Sequence, residues 1–289
     1  MSEDIPIRLA QPRRWVALGT VAATALGGAI ALPVADAAAG PILRPAISMP
    51  AGDPFILAQA TSEGGEGGEG GEGGEGAAPS GNDAADFLTD LTFMQGHAKA
   101  GLELYRAGVT DLGVVHAGHP IVEKFDAVEA GLKDIGLAEE IRGILVKMSE
   151  AADAGADIAT LDALYADFSR EMDEARAAVA DPRAELKALA ALMRLAGDEY
   201  AAAFTDGKIT DVKEYQDSWG YQTVIASRLA ALAGSPDSAV AAAAAKMQAA
   251  MATAAPAWGD VQGGGDKVVD PTLIYGAAAA MQFAALAAG

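Results

Sequence analysis

The stretch DAADFLTDLTFMQGHAKAGLELYR, residues 83–106, decides the fold. Its apolar side chains recur at intervals of three and four residues, so they share one face of a helix. These residues are Phe87, Leu91, Met94, Ala98, Leu102 and Tyr105. The spacing continues in Ile121, Phe125, Val128, Leu132 and Ile135. Pro120 stands before this second set, where proline best begins a helix, so the second helix is predicted to start there.

The same pattern continues to the end of the chain. Further helices are predicted at about 137–153, 157–180, 183–205, 211–233, 236–254 and 271–288. No segment alternates with the two-residue period of a strand. The final stretch PTLIYGAAAAMQFAALAAG is too short and too alanine-rich for a membrane span, and it is predicted to be a buried closing helix. Residues 83–289 are therefore predicted to form one all-α domain, a bundle of about seven or eight helices.

Composition limits the partners. Acidic residues outnumber basic residues 40 to 20, so binding to nucleic acid by phosphate neutralisation is disfavoured and cationic partners are favoured. The chain has no cysteine, which excludes disulfides, thiolate metal sites and cysteine nucleophiles.

The first 37 residues have the pattern of an export signal. Arg13 and Arg14 precede the apolar run 15–34, and Ala35-Asp36-Ala37 supplies small residues for cleavage. The paired arginines partly resemble a twin-arginine signal. The apolar run is nearly long enough to span a bilayer, so an uncleaved inner-membrane anchor is an alternative. In each case the rest of the chain is expected to be periplasmic or otherwise extracytoplasmic.

Residues 38–82 are predicted to be a disordered linker. They contain several prolines and then the repeat EGGEGGEGGEGGEG from Glu63. Glycine at two of every three positions costs too much backbone entropy to order, and the regularly spaced glutamates repel one another. This segment is therefore expected to act as a flexible acidic tether.

All three histidines of the chain lie within residues 94–120. His97 is on the first helix, whereas His116 and His119 come just before Pro120, with Glu123 four residues further on. We expect His116 on a short helix, His119 near the N-cap of the next helix, and His97 brought to them by a helical hairpin. Imidazole and carboxylate ligands suit iron, zinc or manganese, and copper is a further candidate. Alternatively, the histidines cap helix ends or pack at the surface.

A second group of candidates lies in DEYAAAFTDGKITDVKEYQDSWGYQ, residues 198–222. Tyr200 and Tyr215 continue apolar faces and are predicted to be core residues whose hydroxyls reach a polar partner. Asp211 and Glu214 have the spacing of a capping box, which offers a structural role for Glu214. The carboxylates that could complete a metal site with the histidines and Glu123 are Glu103, Glu199, Glu214 and Asp217.

The pattern EY, DGKI and EYxD in this segment resembles the helical extracytoplasmic domain fused to bacterial high-affinity iron permeases. More loosely, it is similar to the imelysin-type periplasmic iron-uptake proteins. The resemblance implies exported metal handling and a membrane permease as a partner. The H-x-x-E signature of the imelysin family is absent, since Ala100 follows His97 at that spacing and His119 follows His116. Residues 170–174, REMDE, match the R-E-x-x-E pattern of the permeases, but their neighbours are polar.

These observations lead to two hypotheses. The first is an exported protein that binds a transition metal, with iron as the preferred ion, for uptake or storage. The second is a helical structural or interaction module on an acidic tether, and it predicts that the histidines lie far apart. An enzyme is disfavoured because the chain has no G-x-S-x-G motif and no phosphate-binding loop. Three histidines and a glutamate leave a metal hydrolase as an alternative.

Overall fold

The computed structural model describes residues 81, 83–263 and 269–289, and this part of the chain is almost entirely helical. The α-helices are α1 Asp83–Arg106, α2 Thr110–His119, α3 Phe125–Asp134, α4 Ala138–Asp153, α5 Ile158–Val179, α6 Pro182–Ala202, α7 Val212–Ala233, α8 Ser238–Ala254 and α9 Thr272–Leu286. A π-helical turn, Pro120–Lys124, joins α2 to α3, and a 3₁₀ turn, Ala255–Ala257, follows α8. Since α2, the π turn and α3 are continuous, eight helical segments result, and the all-α prediction is confirmed.

The predicted signal peptide, residues 1–37, lies outside the described residues, as does the predicted linker apart from Gly81. Within the described ranges, no helix has the length and apolar character needed to cross a membrane. The final stretch instead forms α9, whose buried residues Ile274 and Met281 pack in the core shared by α6, α8 and α9.

The second helix was predicted to begin at Pro120, and this prediction is wrong. It begins at Thr110 as α2 and runs through the proline into α3. Proline has no N–H to donate to the carbonyl of His116 four residues earlier, and its ring crowds that carbonyl. The helix widens into the π turn at this point instead of ending. His119 is consequently inside a continuous helix and not at an N-cap.

The predicted absence of strands and the predicted extent of α6 are both wrong at one turn. Helix α6 ends at Ala202, and two-residue strands β1, Phe204–Thr205, and β2, Lys208–Ile209, pair antiparallel. Asp206 and Gly207 between them have φ of 54° and 76°. A two-residue turn of this kind needs positive φ at both positions, and Asp-Gly supplies it at low cost. The hairpin reverses the chain between α6 and α7.

Aspartates begin four of the helices. The side chains of Asp157, Asp181, Asp211 and Asp237 each accept a backbone N–H in the first turn of α5, α6, α7 and α8. Such a cap stabilises a helix by about 1 kcal/mol. The capping box predicted for Asp211 and Glu214 would need the backbone N–H of Asp211 to donate to the Glu214 side chain. This N–H donates instead to the Ala203 carbonyl at 3.2 Å.

Two large apolar cores and one small cluster lie among the described residues. The first core is formed by α1, α3, α4 and α5 with the start of α6. The second core is formed by α6, α7, α8 and α9 with Phe93 of α1. The small cluster consists of Leu102, Ala117, Ala152 and Leu161. Because α1 contacts α2, α5, α6 and α7, it is the central helix of the molecule. Residues on different faces of α1 therefore meet different parts of the chain.

Paired glycines let two helices approach α1 closely. Gly96 of α1 lies against Gly220 of α7, and a β-carbon on Gly220 would overlap the carbonyl oxygen of Gly96. Gly101 of α1 lies against Gly113 of α2, where a β-carbon on either glycine would meet the other's carbonyl oxygen at 3.0 Å. Since the backbones nearly touch at both crossings, short side chains beside them can converge.

Candidate metal site

The three histidines and Asp217 meet where α1, α2 and α7 cross. His97 follows Gly96 on α1, whereas Asp217 precedes Gly220 by three residues on α7. His116 and His119 stand one turn apart on α2, after its glycine crossing. One nitrogen or oxygen atom from each of the four side chains lies within 4.8 Å of the others.

The contacts are concentrated on Asp217 and on the Nδ1 atoms of the histidines. The Oδ1 atom of Asp217 lies 2.6 Å from Nδ1 of His97 and 2.9 Å from Nδ1 of His116. Nδ1 of His119 lies 3.4 Å from Nδ1 of His97. Three imidazoles therefore present the same ring atom to one small volume.

Glu123 extends this group from the π turn. Its Oε1 atom lies 3.2 Å from Nδ1 of His119, and its Oε2 atom lies 3.4 Å from Nε2 of His97. The widened turn directs this side chain back towards α1. We call His97, His116, His119, Glu123 and Asp217 the histidine cluster.

Burial is nearly complete at the histidine cluster. His97 and His116 have no exposed surface, and Asp217 is 2% exposed. Only the side chain of His119 retains appreciable solvent contact, at 12%, against 5% for that of Glu123. Removing charged groups from water in this way is costly unless they are compensated by opposite charge and hydrogen bonds.

The outer ring nitrogens of two histidines have hydrogen-bond partners. Nε2 of His116 lies 2.9 Å from Oε1 of Gln216, and Nε2 of His97 lies 2.7 Å from the hydroxyl of Tyr221. An amide oxygen only accepts, so Nε2 of His116 is the protonated nitrogen. In neutral His116, Nδ1 then carries a lone pair that points into the cluster.

That lone pair faces an unsatisfied carboxylate oxygen. Nδ1 of His116 and Oδ1 of Asp217 are both buried, and neither makes a hydrogen bond of acceptable direction. Two acceptors at 2.9 Å repel each other unless a cation lies between them. A proton on His116 or a metal ion would supply that positive charge.

Charge coupling within the cluster shifts two pKa values. Burial by itself lowers the pKa of His116, but the negative charge of Asp217 outweighs burial and raises that pKa above its usual value. Burial raises the pKa of Asp217, but the charges of His97 and His116 outweigh it, so the pKa lies well below its usual range. Asp217 is therefore an anion that attracts a cation.

The segment of α7 that carries Asp217 is held by the loop after α8. The indole nitrogen of Trp258 donates to the Ser218 hydroxyl at 2.9 Å, and that of Trp219 donates to the Gly259 carbonyl at 3.2 Å. The Tyr215 hydroxyl donates to the Asp260 carbonyl at 3.1 Å. These bonds fix the rotation of α7 at Asp217. Tyr200 and Tyr215 are buried core residues, as expected from the sequence.

Three of the candidate carboxylates lie outside the cluster. Glu103 points along α1 to Lys99 and Arg106, at 2.6 and 3.2 Å. Glu199, on α6, and Glu214, one turn before Asp217 on α7, are not in the group of ligand atoms found among the described residues. Periodicity could not separate Glu214 from Asp217, because both face the protein interior to some degree.

Sequence reasoning missed Gln216 and Tyr221. Both had a detectable signal, since Gln216 precedes Asp217 and Tyr221 follows it by four residues, one helical turn away. The glycine pairs were missed for a different reason. A glycine inside a helix shows that another backbone approaches closely but not which one.

The ligand atoms of His97, His116, His119 and Asp217 lie at separations close to those that one metal ion requires. Ligand atoms bound to one ion at about 2.0–2.2 Å are at most about 4.4 Å apart. The four ligand atoms of the cluster all lie within 4.8 Å of one another. Shifts of a few tenths of an ångström therefore bring them within reach of one ion. Hydrogen bonds at the outer nitrogens of His97 and His116 are the usual support of metal-bound histidines. The donor set therefore fits a transition metal ion.

Comparison with known families matches the second half of the chain. The family model described as the iron permease-associated 4-helix bundle domain matches residues 174–285, less than half of the 289-residue chain. This stretch begins near the end of α5 and includes the four helices α6 to α9. The resemblance to the helical domain fused to iron permeases is confirmed over this part. Searches of curated proteins and of solved structures found no match.

The matched residues include only part of the histidine cluster. Asp217 lies inside the matched residues, with its neighbours Gln216 and Tyr221. The three histidines and Glu123 precede them. The cluster is thus built from the matched helices together with helices that the family model does not include.

Proposed function

We propose that the histidine cluster binds one divalent transition metal ion, with iron the first choice, in an exported protein that serves iron uptake. His97, His116, His119 and Asp217 are the primary ligands, and Glu123 is the fifth. The observation that carries this proposal is the meeting of three imidazole nitrogens with the buried Asp217 carboxylate.

Charge balance favours a divalent ion. Three neutral imidazoles with the ionised side chains of Asp217 and Glu123 carry a charge of −2, which a divalent cation neutralises. Mixed nitrogen and oxygen ligands suit Fe²⁺, Mn²⁺ and Zn²⁺, and the absence of thiolate removes the main preference for Cu⁺. A neutral assembly is also the least costly one to bury.

The link to iron uptake comes from the match to the iron permease-associated domain. An association with a membrane permease would place the chain outside the cytoplasm, in agreement with the export signal expected from residues 1–37. Such a protein would hold the metal close to a transporter. Uptake and storage differ in how quickly the ion exchanges.

Calorimetry and elemental analysis test the metal directly. We expect one equivalent of Fe²⁺ under anaerobic conditions, with Mn²⁺ and Zn²⁺ as redox-inert probes. The substitution Asp217→Asn keeps the side-chain volume and removes the carboxylate, so it should lower the affinity at least 10-fold. A triple His→Ala variant should abolish stoichiometric binding.

Glu214→Gln is the matched control, because it removes a carboxylate from the same helix outside the cluster. Its affinity should equal that of the unchanged chain, and circular dichroism should show that all variants remain helical. Stoichiometric metal in the triple variant, or equal affinities for Asp217→Asn and Glu214→Gln, would refute the proposal.

The alternative of an interaction module without metal predicted that the histidines lie far apart. The Nδ1 atoms of His97 and His116 instead contact the Asp217 carboxylate, and Nδ1 of His119 lies 3.4 Å from that of His97. A metal hydrolase would need a site open to substrate, but the exposed fraction of the cluster is confined to His119 and Glu123. Metal binding without catalysis is therefore the function that the geometry supports best.

A further inference from the structure

The histidine cluster is almost closed to solvent. His97 and His116 have no exposed surface, and Asp217 is 2% exposed. An ion with its water shell therefore reaches these ligands only after part of the site moves. The most exposed ligands are His119 and Glu123, whose side chains are 12% and 5% exposed. They stand four residues apart on one helix, so a single movement can displace both.

Two of the helices that carry ligands are held firmly in place. Residues 91–98 of α1 are all buried in the centre of the molecule. The part of α7 that carries Asp217 is fixed by the hydrogen bonds of Tyr215, Trp219 and Trp258. Moving either helix would disrupt core packing or break several hydrogen bonds, so local opening is expected at another element.

Residues 118–124 are less restrained. We call this stretch, from Gly118 to the end of the π turn, the π segment. Gly118 has the backbone freedom of a residue without a β-carbon, and Pro120 has no N–H to donate to the helix. The side chain of Val122 is 83% exposed and makes little contact with the rest of the protein. The π segment is therefore the part of the site that can open at the lowest cost.

The end of the π segment is tied to α1 through Lys124. Its Nζ atom lies 3.2 Å from Oδ1 of Asp90 and 5.0 Å from the centre of the Phe93 ring. Asp90, Phe93 and His97 follow one another at helical spacing on one face of α1. The rings of Phe93 and His97 are 4.3 Å apart. Lys124 therefore holds its neighbour Glu123 against the face of α1 that carries His97.

We propose that the metal enters and leaves the histidine cluster by opening of the π segment, and that the ion pair of Lys124 with Asp90 is the latch that keeps it closed. This inference rests on the proposed metal binding. His97, His116 and Asp217 are the fixed part of the site, and the two ligands of the π segment move out with it. The latch is closed both before and after the ion binds. Breaking it therefore accelerates entry and release together and leaves the Kd nearly unchanged.

Stopped-flow binding of Mn²⁺ to the purified chain, and its release to a chelator, measure the two rates. Lys124→Met keeps the apolar part of the side chain and removes the ion pair, so it should raise both rates about 5-fold. Asp90→Asn should also raise both. A change of charge alone would move the two rates in opposite directions. Lys133→Met is the matched control, because it breaks the 2.8 Å ion pair of Lys133 with Glu129 on α3, and it should change neither rate.

Gly118→Ala should have the opposite effect. The added β-carbon would lie 3.8 Å from Oγ of Ser149, which is an ordinary contact. Because alanine restricts the backbone of the π segment, entry and release of Mn²⁺ should both slow by about 3-fold. The Kd should change little, and faster exchange of the ion in this variant would contradict the proposal.

Hydrogen exchange of the metal-free chain tests the latch without an ion. In Lys124→Met, the backbone amides of residues 121–124 should exchange about 5-fold faster, whereas those of α7 around Asp217 should keep their rates. Stoichiometric Mn²⁺ binding with unchanged or oppositely changed rates in Lys124→Met, or unchanged amide exchange in the π segment, would overturn the latch and leave the proposed metal binding intact. A chain that does not bind Mn²⁺ would overturn both.

Discussion

Gln216 is the residue that determines which nitrogen of His116 is available. Its amide oxygen accepts from Nε2, and this leaves Nδ1 to face Asp217. A glutamine rather than a carboxylate in this position orients the ring without adding a further buried charge. Tyr221 differs, because its hydroxyl can donate to His97 or accept from it. Tyr221 can therefore support His97 with the proton on either ring nitrogen, and the proposed binding of a metal at Nδ1 requires it on Nε2.

The substitution Gln216→Met tests this role. Methionine has a similar volume but no acceptor, so Nε2 of His116 loses its buried partner and the ring loses its fixed orientation. Metal affinity should fall about 10- to 100-fold, the usual cost of removing a partner of this kind. Titration with Mn²⁺ measures the change. Gln222→Met, on the same helix, is the control and should bind normally.

At the scale of elements, the glycine crossings set the distances within the histidine cluster. The contact of Gly96 with Gly220 brings α1 and α7 together beside His97 and Asp217. A larger residue at the crossing must separate the helices, because the obstacle is a backbone carbonyl that has no freedom to move away. The proposed metal site therefore links metal affinity to stability through one contact.

Gly220→Ala should lower the free energy of unfolding by about 1–3 kcal/mol through overpacking and should also weaken metal binding. Gly143→Ala is the matched control, since a β-carbon there has no atom within 4 Å. That substitution should stabilise helix α4 by about 0.5–1 kcal/mol and leave binding unchanged. Urea unfolding followed by circular dichroism measures both. Equal stability of the two variants would contradict the role of the crossing.

Helical elements could be predicted from the spacing of apolar residues, but their junctions could not. The predicted boundaries of α4, α5 and α7 are within one residue of those observed. The start of α2 was missed because a proline usually marks a beginning, whereas here the helix tolerates it by widening. Asp217 and the histidines could be selected by residue type. Excluding Glu103 and Glu199 required knowing which faces of α1 and α6 meet α7, and this depends on packing between helices.

At the scale of the whole molecule, the histidine cluster connects the two cores. His97 lies on the central helix, His116 and His119 lie on the helix that continues into the first core, and Asp217 lies on a helix of the second core. A bound ion would cross-link these parts. Its binding energy should then stabilise the folded chain as a unit and not one bundle alone.

Thermal unfolding tests this coupling. At a metal concentration about 100-fold above Kd, the free energy of unfolding should rise by about 2.7 kcal/mol. The fluorescence of Trp219 and Trp258 reports on the second core, and circular dichroism reports on all helices. Both signals should move to higher temperature together. The triple His→Ala variant, which should not bind the metal stoichiometrically, should show no shift, and a shift seen by only one signal would contradict the coupling.

The π turn at Pro120 also changes the phase of its helix. At about 100° per residue, His116 and Phe125, which are nine residues apart, would lie on opposite sides of an uninterrupted α-helix. The wider turn rotates α3 relative to α2, so that His116 reaches the cluster while Phe125 is fully buried in the first core. One continuous helix thus has two inward faces. A one-residue deletion within the turn would remove either His116 from the histidine cluster or Phe125 from the first core.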